Sequence, residues 1–275
     1  MKNIAVIGTS MIDILIGSDS ELNNGLYTKA GIRQSQGGSM RNIAWHCARC
    51  GLPVTFISKF SHDDQGLDLI NELQKAGCIV HGPVVDHPTP YFVHVQDPVK
   101  EYRLSSISDD FLFHGEQELI PYCLIRDCGW GITDQKDPEF LNKLLLKCPE
   151  TRWIFSGGIP CDSALSKITG ILLNRQEMEA CSNDLTMAEK ARQLIQKGVQ
   201  WILVTLDKEG AILITKERTV PFAALSEQKD RIGSGDAFAC GLLQGLVKDL
   251  SIEESIPSAL ENADIYLKSE IFQPL

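Results

Sequence analysis

The chain contains no Gly-Lys pair, which excludes the phosphate-binding loop built on Gly-Lys-Ser/Thr. It also lacks a Gly-x-Ser-x-Gly nucleophile elbow and a His-Glu-x-x-His metal helix. No apolar run approaches the roughly 20 residues of a membrane-spanning helix; the longest, such as Ile4–Ile7 and Trp201–Leu206, are strand-sized. No lysine/arginine-rich arm or stripe exists, and 26 basic against 36 acidic residues give a net charge of −10. That balance argues against nucleic acid as a partner, though a few backbone amides can still bind phosphate locally. Met1-Lys2-Asn3 followed by Ile4-Ala5-Val6-Ile7-Gly8 reads as a first strand, so a secretory signal is not expected. The nine cysteines, an odd number spread singly, suit reduced thiols in a cytoplasmic protein better than a disulfide scaffold. Cys47-x-x-Cys50 is the one pair at redox or metal spacing, and with no second pair or histidine partner it reads as two helix positions.

What is present is an alternation. Short β-rich runs (Ile4–Ile7, Val54–Ser58, Trp153–Phe155, Trp201–Thr205, Ala211–Ile214) are separated by helical patterns at Met40–Cys50, Gln65–Ala76, Pro138–Lys147, Met187–Lys197, Ala237–Leu250 and Ile252–Lys268. This predicts an α/β fold: a central, mostly parallel sheet with helices on both faces. Two segments, about 12–36 and 90–106, instead alternate polar and apolar residues between turn signals, as half-buried antiparallel strands do. They are expected to form a small β-strand lid over a site. No linker or repeat interrupts the chain, so residues 1–275 are expected to form a single domain.

Four stretches carry chemistry. In Asp230-Arg231-Ile232-Gly233-Ser234-Gly235-Asp236 the glycines let backbone amides approach a ligand, and the helix expected from Ala237 adds the positive end of its dipole. Asp236 at the mouth of such an anion hole suits a base that takes a proton from an attacking alcohol; Ser-Gly-Asp before a helix is also ordinary capping chemistry. Gln36-Gly37-Gly38-Ser39-Met40-Arg41-Asn42 again joins glycines to a helix start, with an amide to offer a polyol. Asn174-Arg175-Gln176-Glu177 opens a helix after Ile171-Leu172-Leu173, placing an acid where it serves either a metal–phosphate complex or the helix cap. Val204-Thr205-Leu206-Asp207-Lys208-Glu209-Gly210 reads as a hairpin turn.

In this order and spacing the four stretches resemble the ribokinase-like (PfkB) sugar and nucleoside kinases, from Gly8 to about Lys268. The resemblance implies a three-layer ribokinase-like fold and transfer of phosphate from ATP, with Mg2+, to the primary hydroxymethyl of a sugar or ribonucleoside. It makes Asp236 the base and Gly233, Ser234 and Gly235 the anion hole. Asp13, Gly37, Gly38, Ser39, Arg41 and Asn42 fall on the substrate side. Asn174, Glu177, Thr205, Asp207, Gly210, Gly233, Gly235 and Asn262 fall on the nucleotide side, with Glu177 reaching the metal through water. His62-Asp63-Asp64-Gln65-Gly66 resembles the family's stretch after the second strand. Gly-Gly-x-x-Arg-Asn-Ile-Ala looks most like pseudouridine kinases, which favours a pseudouridine-like or ribose-like substrate.

Three features depart from the family pattern. Asp207 replaces a glycine in the nucleotide-side turn, Arg231 replaces a threonine and puts a monovalent-cation site in doubt, and Ser156-Gly157-Gly158-Ile159-Pro160 lacks the run expected of pseudouridine kinases. These departures motivate the alternative of a non-catalytic sugar or nucleoside sensor. Gly8-Thr9-Ser10 lacks the three-glycine dinucleotide fingerprint, so an oxidoreductase is rejected. A homodimer through the lid strands is the expected assembly.

Overall fold

The computed structural model describes residues 2–23, 26–115, 120–182, 185–226 and 232–269. Its central sheet has nine strands, in the order β15-β14-β13-β12-β11-β10-β1-β4-β6. These are β1 (Ile4–Ile7), β4 (Val54–Ile57), β6 (Ile79–His81), β10 (Trp130–Thr133), β11 (Arg152–Ser156), β12 (Gly170–Asn174), β13 (Trp201–Thr205), β14 (Ala211–Thr215) and β15 (Thr219–Phe222). Pairing is parallel from β6 to β13 and antiparallel across β13–β14–β15. The continuous apolar runs have a direct cause: successive side chains enter opposite cores, so a strand covered on both faces needs no polar residue. Ile4 and Val6 join one core with Trp201 and Leu203, while Ala5 and Ile7 join the other with Ile202 and Val204.

Helices α1 (Ser39–Arg49), α2 (Asp64–Ala76), α8 (Ser234–Leu246) and α9 (Ile252–Lys268) cover the first face. The second is covered by α3 (Tyr122–Ile125), α4 (Pro138–Lys147), α5 (Asp162–Leu165), α6 (Arg175–Ser182) and α7 (Met187–Gln196). Caps set several of their starts: Thr186/Glu189 on α7 and Ser251/Glu254 on α9 form capping boxes, and Asp63 accepts from the Gly66 amide at 2.7 Å. Asp63 also accepts from the amide and hydroxyl of Thr89, at 2.7 and 2.5 Å, so the stretch after the second strand ties α2 to the chain entering the strand Tyr91–Gln96.

A second sheet of four strands, in the order β3-β2-β8-β9, stands beside the carboxyl ends of the main strands. It comprises β2 (Met11–Gly17), β3 (Gly31–Gly37), β8 (Tyr91–Gln96) and β9 (Glu101–Ser105), close to the expected segments. One expectation is corrected: the central β2–β8 pair is parallel, and only the flanking pairs are antiparallel. Side-chain alternation reports which face is buried and carries no strand direction. A minor pair joins β5 (Phe60–Ser61) to β7 (Val84–Val85). Among the described residues no helix is long and apolar enough to cross a membrane, and all nine cysteines are free.

Candidate active site

The carboxyl ends of β1, β10, β12 and β13 open into one cleft of about 1420 Å³, roofed on one side by the four-stranded sheet. This is where ligands enter open parallel sheets. Of the residues expected on the substrate side, Asp13, Gly38, Ser39 and Asn42 line it. Gly233, Ser234, Gly235 and Asp236 line it from α8, and Asn174, Glu177, Thr205, Asp207 and Gly210 from the nucleotide side.

Helix α8 begins at Ser234, three residues before the expected Ala237, and ends at Leu246 instead of Leu250. It is buried nearly all round, so no amphipathic stripe marks its ends. Gly233 is its N-cap at φ 94°, a left-handed geometry that a side chain resists, and a Cβ there would overlap the Tyr266 hydroxyl. Asp236 thus sits inside the first turn, 9% exposed, beside the backbone amides of the helix entrance. Burial pushes its carboxyl up to about 7, assisted by Asp13 and Asp134 and opposed by hydrogen bonds from Asn42 and Ser39. Asn42 Nδ2 donates to Asp236 Oδ2 at 3.0 Å, joining the two glycine-led helix starts across 194 residues of sequence.

Asp13 is 7% exposed, and burial raises it to about 6 against the pull of Arg41. Gly37 and Arg41 stand behind this group and do not line the cleft, which corrects their assignment to substrate contact. A Cβ on Gly37 would overlap the Asp13 carboxylate, so this glycine makes room for it. Arg41 is 6% exposed, donates to Gln36 Oε1 and to Asn42 Oδ1 (3.3 Å), and lies over the Trp45 ring. It orients Asn42 from beneath the site.

Asp134, just past β10, lines the same cleft and was not anticipated. Burial raises it to about 6. Gly8 leaves the space it occupies, since a Cβ there would meet Asp134 Oδ1 at 2.6 Å. The available signal was an acid directly after a short apolar run, at the carboxyl end of a strand.

On the nucleotide side, Asn174 and Glu177 cap each other: the Asn174 amide donates to Glu177 Oε2 at 2.9 Å, and the Glu177 amide to Asn174 Oδ1 at 2.7 Å. Glu177 is therefore fixed at the cleft wall by the same bonds that start α6. Asp207 has φ 50°, so it reproduces the left-handed backbone a glycine would supply. Asn262 is the clear correction. It donates to Gln244 Oε1 at 3.3 Å and faces Cys240 between α8 and α9, away from the cleft. Gly241 and Gly245 let α9 approach so closely that this face of the helix is occupied. Asp230 and Arg231 lie outside the described residues.

No group of three or more His, Cys, Asp or Glu among the described residues could hold a metal ion. Leu225, Leu260, Ala263 and Leu267 line the same cleft, together with Ser226, Asp264 and Lys268. Helix-start amides at such a cleft can accept a phosphate, and a metal carried chiefly by phosphate and water needs no protein cage.

The chain is similar to known kinases over nearly its whole length. A guanosine-inosine kinase from Exiguobacterium acetylicum is 26% identical, covering 96% of this chain and 93% of that protein. A fructoselysine 6-kinase from Escherichia coli is 24% identical, covering 93% and 94%. A solved ribokinase from Thermotoga maritima superposes with a TM-score of 0.84 at 22% identity, over 98% of this chain and 94% of that one, which shows a ribokinase-like fold. Residues 1–106 and 160–270 match the pfkB family carbohydrate kinases, and the chain belongs to that family.

Proposed function

We propose that this chain is an ATP-dependent phosphotransferase acting on the primary hydroxymethyl of a sugar or ribonucleoside, with ribose-like or pseudouridine-like acceptors favoured. One observation carries the reading: a buried carboxylate, Asp236, lies inside the amide-lined first turn of α8 and is held there by Asn42. An acid inside an anion hole is electrostatically costly unless it removes a proton where negative charge develops.

In this reading Asp13, Gly38, Ser39 and Asn42 hold the sugar hydroxyls. Asp236 accepts the alcohol proton as that oxygen attacks the γ-phosphoryl group. The amides of Gly233, Ser234 and Gly235 offset the charge on the group in transfer. Thr205, Asp207 and Gly210 border the nucleotide, and Glu177 would hold Mg2+ through water, the ion supplying positive charge to offset the phosphates. The four-stranded sheet acts as a lid that excludes water, the competing acceptor.

A non-catalytic sensor drew its support from Asp207; with φ at 50° that residue keeps the turn a glycine would make, which favours the catalytic reading. The lid's outer face exposes Ile32, Tyr102 and Leu104 (68%, 49% and 59%), and we propose that a second copy of the chain covers it. Sedimentation velocity showing a monomer at micromolar concentration would exclude that pairing.

The test of activity is ADP release in a coupled assay, with Mg-ATP and a panel of ribose, fructose, fructoselysine, pseudouridine, uridine, inosine and adenosine. Release with at least one acceptor is expected. Thermal stabilisation by a panel member with no ADP release from any would overturn the kinase reading in favour of the sensor.

A further inference from the structure

We propose that Tyr266, in the last turn of α9, is a positioning residue that aims the Gly233 amide into the cleft. The proposal rests on the kinase reading above and adds to it a residue behind the cleft wall on which the rate of transfer depends.

The three amides assigned to the anion hole are not held alike. The peptide plane carrying the Ser234 N–H is fixed by the helix, because the Gly233 carbonyl in that plane accepts from the Ala237 amide at 3.1 Å. The Gly235 N–H belongs to the next plane, inside α8. The Gly233 N–H shares a plane with the Ile232 carbonyl, ahead of the helix. Glycine makes this plane the easiest of the three to turn, since a residue with no Cβ passes readily between backbone conformations. An anchor outside the helix has to hold it.

Tyr266 supplies that anchor. Its hydroxyl donates to the Ile232 carbonyl at 2.8 Å and lies against Gly233, where a Cβ would overlap it. In a trans peptide the C=O and N–H point in opposite directions, and the described residues contain no cis bond. Ile232 and Gly233 line the cleft and Tyr266 does not. A carbonyl turned back towards Tyr266 therefore sends the Gly233 N–H to the cleft side.

The ring is braced in turn. Tyr266 is buried, and His46 of α1 meets it edge-on with centroids 5.6 Å apart; Trp45 meets His46 edge-on at 5.2 Å. The Ser269 hydroxyl and amide donate to the Tyr266 carbonyl at 2.7 and 3.1 Å, which keeps α9 wound as far as this residue. His46 lies one turn from Asn42 on the same side of α1. One helix thus references both halves of the chemistry: Asn42 bonds the carboxylate of Asp236, and His46 steadies the ring whose hydroxyl sets the donor. Burial, aided by Arg41, holds the His46 imidazole down at about 4, so it stays neutral near pH 7 and the brace does not titrate there.

An amide aimed at the group in transfer acts most strongly as charge builds on that group, so its misalignment lowers kcat more than it weakens binding. Steady-state ADP release with Mg-ATP and the best acceptor of the panel, for wild type, Tyr266→Phe and Tyr266→Leu, reads this. Tyr266→Phe keeps the ring and removes the anchor, and kcat should fall about 10- to 100-fold with both KM values within about twofold of wild type. The acid limb of kcat/KM should stay near pH 7, because the surroundings of Asp236 are untouched. Tyr266→Leu, which also loses the ring, should lose at least as much turnover and melt lower. If the residue only packed, Tyr266→Phe would turn over like wild type and only Tyr266→Leu would suffer; that result overturns the assignment. A rise in both KM values, or a displaced acid limb, in Tyr266→Phe would show the whole site loosening and would overturn it equally. ADP release by wild type with unchanged kcat in Tyr266→Phe removes the role of Tyr266 and leaves the kinase reading; no ADP release by wild type with any acceptor removes both.

Discussion

Replacing Asp236 by asparagine separates catalysis from stability in opposite directions. The carboxyl is held at about 7 where an unfolded aspartate titrates near 3.8. Ionising it in place therefore costs about 4 kcal/mol. Above neutral pH the folded protein carries that cost and the unfolded chain does not. The carboxamide has no ionised form, and its oxygen can still accept the Asn42 bond. After allowing for an amide group where the carboxylate accepted from Ser39, a net gain of about 1–3 kcal/mol remains at pH 8, or roughly 2–8 °C in Tm. At pH 5 the folded carboxyl is protonated while the unfolded one is still largely ionised, so the gap narrows there and closes only below about pH 4.

Turnover moves the other way. Loss of a general base lowers kcat about 100- to 10,000-fold while substrate affinity is largely kept. In the wild type, kcat/KM should rise about tenfold per pH unit below 7 and level off above it as Asp236 ionises; in Asp236→Asn that limb disappears. Scanning calorimetry at pH 5 and 8, with ADP release across the same range, measures both effects. A variant that keeps wild-type turnover, or is less stable than wild type at pH 8, refutes the role assigned to this carboxylate.

Asp13 and Asp134, raised to about 6, and Asp236, raised to about 7, all bind protons more tightly in the folded state. Their stabilisation is complete below about pH 4 and is lost as pH rises through 6 to 7, so the Tm of the ligand-free protein should fall from pH 5 to 8; a flat profile in calorimetry would contradict this. Asn42→Ala removes the donor 3.0 Å from Asp236 and should move the acid limb of kcat/KM upward by up to about one pH unit. Gly37→Ala drives a methyl into the Asp13 carboxylate and should raise the acceptor KM about tenfold or more with the ATP KM unchanged. Gly210→Ala, a left-handed position packed on Phe222 and Ala224, should do the converse, and the paired KM values decide both.

Much of this was legible in the sequence, for physical reasons that differ by element. The buried strands announce themselves because two covered faces demand unbroken apolar runs, as in Ile4–Ile7 and Trp201–Thr205. The glycine turns that precede α1 and α8 were visible because only glycine tolerates both the close approach and the φ of 94° found at Gly38 and Gly233. The start of α8 was read three residues late because a helix buried on every side has no stripe to locate. Arg41 gave no sign of burial, since its acceptor Gln36 lies on the preceding strand and chain spacing alone does not bring them together. Asn262 needed the α8–α9 approach through Gly241 and Gly245, a three-dimensional fact that turns its side chain away from the cleft.

The acid balance that argues against nucleic acid also tunes the proposed base. Asp13, Asp134 and Asp236 converge on one enclosed cleft, and the first two raise the third. A base is most effective when its pKa lies near the working pH, because a weaker one takes the proton poorly and a stronger one is already protonated. An aspartate in water is about three pH units too weak for neutral solution. Burial and two neighbouring carboxylates close that gap, while the bonds from Asn42 and Ser39 hold the value from rising further. Acceptor hydroxyls donating to Asp13 would favour its ionised form, and the added negative charge would strengthen Asp236 as a base when an alcohol is in place to be deprotonated.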